Sequence, residues 1–167
     1  MRAFHSGGVT EDSLTLIGMV AECNRLHKRM DAVYHGYAKQ TGLSDAAFWL
    51  LYSLYERGAP GTQKDLCNLW FFSPQTINSA LKALEQKGLL TLQAQPGSRK
   101  AKLVMLTGEG QTFVERQIAP VVRAEEASWQ RMDPEERQTL LALTRAHTEL
   151  LEREVNRILS SEDGSSE

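Results

Sequence analysis

Cysteine is scarce in this chain. Cys23 and Cys67 are the two in 167 residues, too few for a disulfide framework, so a reducing, cytoplasmic setting is the expectation. Neither belongs to a Cys-x-x-Cys pair, and there is no His-Glu-x-x-His. Cys23 and His27 are one helical turn apart, with His35 two turns further on, but two spaced ligands fall short of a closed zinc site. The four histidines are scattered, and no nucleophile or carboxylate pair is placed with a base, so neither an enzyme nor a cofactor is expected. No apolar run approaches the roughly 20 residues of a membrane span. The first residues lack the apolar core of a signal peptide. What remains, with 41% hydrophobic and 24% charged residues, is one globular domain or one domain with extensions.

The stretch from Thr62 to Gly110 organises the rest. Ser73 followed by Pro74 is a helix start, a hydroxyl N-cap with proline at the first helical position, and Gly88 is the matching stop. Between them Ile77, Ala80, Leu81 and Leu84 fall on one face at helical spacing. Gln75, Asn78, Ser79, Lys82 and Gln86 fall on the other. Amides and hydroxyls, with one lysine, suit a surface that donates to and accepts from base edges. After the helix, Leu90 and Leu92 alternate with Thr91 and Gln93, and Leu103 and Met105 alternate with Lys102 and Val104, so both runs suit strands. Pro96-Gly97 marks the turn between them, and Arg99, Lys100 and Lys102 follow closely. A basic hairpin tip beside such a helix suits phosphate or minor-groove contact.

Net charge is -2, which looks unsuited to nucleic acid until it is divided. From Thr62 to Val104 there are six basic residues against two acidic ones, while the remainder has 13 against 19. Positive charge is concentrated on the stretch that would meet DNA.

Along the chain, residues 1 to 10 read as a loose tail. A long helix is expected from Glu11 to about Gln40, carrying Leu14, Ile17, Val20 or Ala21, Met30, Val33, Tyr34 and Tyr37 and ended by Gly42. A second runs from Ser44 to Arg57 with Phe48, Leu51, Leu54 and Tyr55 inward. Thr62 caps a third, with Asp65 completing a capping box and Leu66, Leu69 and Trp70 inward. Thr107 starts a further helix, which Pro120 should bend. Asp133-Pro134-Glu135-Glu136 starts the last, which reaches about Leu159 with Leu140, Leu143, Leu150, Val155 and Ile158 as its seam. The end, after Leu159, reads as a tail. Seams on such long helices exceed what one small lobe covers.

In this order of elements the chain resembles the MarR family of bacterial transcriptional regulators. The resemblance is carried by Leu43-Ser44, by the run Ser73-Pro74-Gln75-Thr76-Ile77-Asn78 through Gly88, by the wing, and by Leu106-Thr107-x-x-Gly110. It implies a mainly α fold with a small β-hairpin wing: a winged helix-turn-helix plus a helical dimerisation body. The chain would be a single MarR-like domain, with 44–107 the DNA lobe and 11–42 and 108–159 the dimerisation helices. It implies a homodimer on a near-palindromic double-stranded operator, weakened by a small-molecule effector in many members. Gln75, Thr76, Asn78, Ser79 and Lys82 fall at the family's recognition-helix positions and Arg99 at its wing arginine; with Ser73, Lys100 and Lys102, these are the candidate DNA-binding residues.

There are departures. The family often has Asp before the wing arginine, where this chain has Ser98, so nothing local braces Arg99. At the helix-turn-helix corner, where a small residue or glycine is usual, stands Phe71, between Trp70 and Phe72. Trp70 and Phe72 read as core, and Phe71 as exposed.

His27, Tyr34, Trp49 and Tyr52, with Tyr37, are the candidates for an effector pocket between body and lobe, although aromatics at helical spacing are more often plain core. Some relatives use cysteine for redox sensing or cysteine and histidine for zinc. Cys23 is offset from the peroxide-sensing position, and Cys67 reads as a small inward hydrophobe. The alternatives are a redox- or metal-responsive regulator of the same fold, or a winged helix that serves only protein interaction.

Overall fold

The structure is a computed structural model and describes residues 15–97 and 102–163. The chain divides into two compact units, Met1–Ala119 and Pro120–Glu167. The first holds α1 (Leu16–Gln40), α2 (Asp45–Arg57), β1 (Gly61–Thr62), α3 (Gln63–Trp70), α4 (Pro74–Gln86), β2 (Leu90–Ala94), β3 (Lys102–Leu106) and α5 (Gly108–Gln117). From Ala119 the chain continues as α6 (Ala119–Gln130) and α7 (Pro134–Asp163). It is mainly α with a small antiparallel sheet.

Hydroxyl caps set where the helices begin. Ser44 Oγ accepts from Ala47 N, Ser73 Oγ from Thr76 N and Thr107 Oγ1 from Gly110 N, each satisfying a backbone donor that the helix leaves orphaned. Thr62 and Asp65 form the reciprocal capping box: Asp65 N donates to Thr62 Oγ1, and Thr62 N donates to Asp65 Oδ2 at 3.0 Å. Glycine sets where helices end. At Gly88, with φ 71°, the Gly88 N–H reaches Glu85 O and the Leu89 N–H reaches Leu84 O. Gly42 ends α1 with the same pair of bonds, to Lys39 O and Ala38 O.

The core of the first unit lies where α2, α3, α4, α5 and the sheet meet. Phe48 and Leu51 from α2, Leu66 from α3, Ile77 and Leu84 from α4 and Val104 from β3 are all fully buried. Burial of each contributes roughly 1.5–3 kcal/mol relative to exposure.

The wing is more than a hairpin. β1 joins it, giving the order β1-β3-β2, with Gly61 opposite Val104 and Thr62 opposite Leu103. Two residues are too few to leave a period-2 signal, so β1 was not expected. Nor was the facing of β3. Leu92 pairs with Val104 and Leu90 with Leu106, so Val104 faces inward at 0% exposure while Leu103 and Met105 are half-buried. Four consecutive apolar residues carry no alternation, and a one-residue slip exchanges the faces.

The motif Leu-Thr-x-x-Gly is explained by a close approach. Thr107 Oγ1 donates to Gly88 O at 2.6 Å, and Thr107 N donates to Leu89 O at 3.1 Å. This lays the first turn of α5 against the end of α4. A Cβ on Gly110 would stand 1.8 Å from Leu89 O. Only glycine fits there.

Other expectations shift. Thr15 is extended and caps Gly18 N, so α1 begins at Leu16 rather than Glu11. Leu69 is 45% exposed, because on a helix of eight residues Leu66 and Trp70 occupy the inward arc. Pro120 lies not inside a bent helix but at the second position of α6, with the break at Ile118. Without an N–H, proline fits a first turn better than an interior.

In the second unit, Asp133 Oδ1 accepts from the N–H groups of Glu135 and Glu136, and Glu136 Oε2 accepts from Asp133 N. This is the expected start of α7. The helix runs past Leu159 to Asp163, and there Ser160 and Ser161 donate their hydroxyls to the Asn156 and Ile158 carbonyls.

Two consequences are measurable. Gly110→Ala forces backbone against Leu89 and should lower unfolding stability by about 3 kcal/mol or more in urea titration, against a few tenths for Gly108→Ala, whose Cβ meets nothing. The Thr62 hydroxyl and backbone N–H hold the Asp65 carboxyl below its usual range, with smaller help from Arg57 and Lys64. A lowered folded pKa gives stability that is present above about pH 4 and is lost as pH falls through the folded value. Asp65→Asn should therefore be less stable than wild type at neutral pH, with the gap closing below about pH 4. A gap unchanged with pH would show that the carboxylate charge is irrelevant to the cap.

Candidate nucleic-acid interface

α4 is divided lengthwise. Ile77, Ala80, Leu81 and Leu84 are buried, while Ser73, Gln75, Thr76, Asn78, Ser79 and Lys82 are exposed. Several exposed groups are already oriented by the protein. Ser73 Oγ caps Thr76 N and lies 2.8 Å from Thr76 Oγ1, so both hydroxyls are engaged at the helix start. Ser79 Oγ donates to Gln75 O, which leaves its oxygen to accept. Asn78 Oδ1 accepts from Gln63 Nε2 at 2.8 Å, which turns the Asn78 amide N–H groups away from α3. Gln63 is a positioning residue that sequence reasoning missed; its signal was its place as the first residue after a capped start.

Lys102 is exposed at the first residue of β3. Arg99 and Lys100 lie outside the described residues, as does Ser98.

The effector candidates divide. A cavity of about 440 Å³ is lined by Lys28, Asp31, Tyr34, His35, Asp45 and Trp49, among others. Tyr34 and Trp49 are in ring contact at 4.8 Å. Tyr52 packs on Trp49 and Trp70 without lining that cavity. His27 also stays out of it, exposed, with Nδ1 3.8 Å from Cys23 Sγ. Tyr37 donates its hydroxyl proton to Gln117 O, a tie from α1 to the end of α5. Sequence reasoning missed Lys28, Asp31 and His35, although their spacing of three and four residues puts them on one helix face. His35 Nδ1 lies 3.0 Å from the Asp45 carboxylate, joining α1 to α2.

Trp70 behaves as core. It stacks on Trp49 with centroids 4.2 Å apart, and its indole N–H donates to the buried Ser53 Oγ, which donates in turn to Trp49 O. Burial pushes the Cys67 thiol up, which leaves less reactive thiolate at neutral pH. Among the described residues no three His, Cys, Asp or Glu side chains gather to hold a metal, and no helix is long and apolar enough to cross a membrane.

A model of the MarR family matches residues 41–101, the span from the end of α1 through the helix-turn-helix and into the wing. No curated protein matches the sequence significantly. Among solved structures, a MarR family regulator from Neisseria meningitidis is 22% identical with a TM-score of 0.68, covering 81% of this chain and 97% of that one. A putative MarR family transcriptional regulator from Listeria monocytogenes, complexed with 26mer DNA, is 20% identical with a TM-score of 0.62, covering 89% and 96%. The PcaV transcriptional regulator from Streptomyces coelicolor, in complex with its natural ligand, is 15% identical with a TM-score of 0.60, covering 85% and 97%. Residues 41–101 match the model of the MarR family, and the fold of the chain is the one that these solved regulators share.

Proposed function

We propose that this protein is a transcriptional regulator that binds double-stranded DNA sequence-specifically as a homodimer and responds to a small-molecule effector. The observation that carries the reading is α4, whose buried stripe turns Gln75, Thr76, Asn78, Ser79 and Lys82 outward beside a wing rich in cations. A recognition helix enters the major groove with such residues toward base edges. The structure from Listeria monocytogenes complexed with 26mer DNA has this fold, which supports DNA as the partner.

The homodimer rests on apolar side chains left open. On α1, Met19, Leu26, Met30 and Val33 recur at seven, four and three residues, and each is half or more exposed. On α7, Leu143, Leu150, Leu151, Ile158 and Leu159 are likewise more than half exposed. Open apolar side chains repeated along each helix mark an interface, and a second copy of the chain is the occupant proposed. The effector reading rests on the cavity at Tyr34 and Trp49, where aromatic walls meet the charged groups of Lys28, Asp31 and His35. The ligand held by the Streptomyces coelicolor neighbour supports a small molecule as effector.

Selection of bound sequences from a random duplex pool tests the whole reading: a recovered near-palindrome is expected, and recovery of no preferred sequence would overturn it. Leu150→Glu with Ile158→Glu should shift sedimentation from dimer to monomer and abolish operator binding. A wild-type protein that sediments as a monomer while holding its operator would end the dimer proposal. Helix and wing should also fail differently. Gln75→Ala should relax preference at particular base pairs, at roughly 1–3 kcal/mol if a paired contact is lost. Arg99→Ala and Lys100→Ala should weaken operator and scrambled DNA alike and flatten the salt dependence, by about one unit of slope per phosphate contact. Identical salt slopes and equal losses on both DNAs for Gln75→Ala and Arg99→Ala would refute this division.

A further inference from the structure

Phe71 is out of place twice. It ends α3 with φ 55°, in the left-handed region. Among the described residues every other positive φ belongs to glycine, at Gly42, Gly58, Gly88 and Gly97. An L side chain is disfavoured there because its Cβ crowds the neighbouring carbonyl. Its ring is also 90% exposed, the most open large hydrophobic side chain among the described residues. Its neighbours differ: Trp70 is held by Ser53 and Trp49, and Phe72 is half-buried. With the residues on either side turned inward, the chain between them presents Phe71 to solvent.

Strain and exposure together raise the energy of the free protein, and a ring 90% exposed recovers little of it by packing among the described residues. A bound partner recovers more. Two residues on, Ser73 caps α4, so Phe71 borders the end of the helix whose first turns reach base edges. From Leu66 to Leu84 the one charged side chain is the lysine Lys82, while Asp65 and Glu85 stand at the borders of the run. That charge pattern favours a polyanion over an ordinary protein surface as the occupant.

We propose that Phe71 is a specificity residue of the DNA interface, set beside α4 so that its ring packs on the 5-methyl group of a thymine in the major groove. Phenylalanine contact with the thymine methyl is a direct form of base readout. The inference rests on the DNA-binding reading above and adds to it a contact that the polar face of α4 does not provide.

The test uses the full chain and the operator recovered by selection. Each thymine of a half-site is replaced in turn by deoxyuridine, which removes only the methyl. Wild type should lose about fourfold in affinity at one thymine per half-site, the worth of one buried methyl group. Phe71→Gly, which removes the ring from both protomers, should lose about the square of that factor on the unmodified operator, roughly sixteenfold, and be indifferent to deoxyuridine at that position. Its Tm should equal or exceed that of wild type, since glycine relieves the left-handed strain. Phe71→Asn, which tolerates the same backbone without the ring, should match Phe71→Gly. The proposal is overturned if Phe71→Gly binds as wild type does, if Phe71→Asn restores affinity, or if both proteins respond equally to every deoxyuridine. A wild type with no sequence preference would bring down the DNA-binding reading itself, a result distinct from these.

Discussion

The burial of one stripe on α4 governs the rest. Ile77 and Leu84 are 0% exposed, and Leu81 and Ala80 nearly so. Any roll of the helix about its axis would lift at least one of them toward water, at a cost of roughly 1.5–3 kcal/mol for a large side chain. Rotation is thereby settled, and with it the direction of Gln75, Asn78 and Ser79. The ends are settled separately, by Ser73 at the start and by the bonds around Gly88 at the finish. A surface oriented by a core needs little further ordering when it meets a partner, and this is where preorganised contacts gain affinity.

The wing inherits its position from the same element. Leu89 follows directly on Gly88, and its carbonyl accepts from Thr107 while α5 presses on it at Gly110. β3 is held on both sides, by β1 and by β2, so its base cannot swing independently of α3 and α4. Lys102, at the first residue of β3, therefore sits on a strand paired on both sides. Helix and wing are joined where Thr107 bonds the Gly88 and Leu89 carbonyls and Gly110 lets α5 approach Leu89.

This hierarchy explains what was legible in the sequence. α4 was readable because three independent signals agree on it: a hydroxyl-proline start, a glycine stop and an apolar stripe at helical spacing. α2 and the Thr62 box were readable for the same reason. The inward face of β3 was not, because Leu103, Val104, Met105 and Leu106 offer no alternation and the choice depends on pairing with Leu90 and Leu92. β1 depends wholly on its partner strand. The cavity at Tyr34 and Trp49 is tertiary: its aromatics were visible as a helical pattern, but separating Tyr34 from Tyr37, or Trp49 from Tyr52, requires knowing which ring another residue covers. Gly110 was legible as part of a motif, and its reason lies in a carbonyl that comes from a different element.

The charges along the long helices bear on how the open apolar stripes are covered. Glu22 pairs with Arg25 and Lys28 with Asp31 on α1, and Glu154 pairs with Arg157 on α7. All are exposed pairs one turn apart, and such pairs contribute on the order of 0–1 kcal/mol to stability. Their value for the fold is therefore small. Around Met30 and Leu26, or Ile158 and Leu150, they have a different consequence. Charges already paired within their own helix need no partner from outside when an apolar surface closes over the stripe between them, whereas an unpaired charge at that border would resist desolvation. In the proposed homodimer they supply a polar rim that is electrically satisfied before association, around an apolar centre that is not satisfied until association occurs.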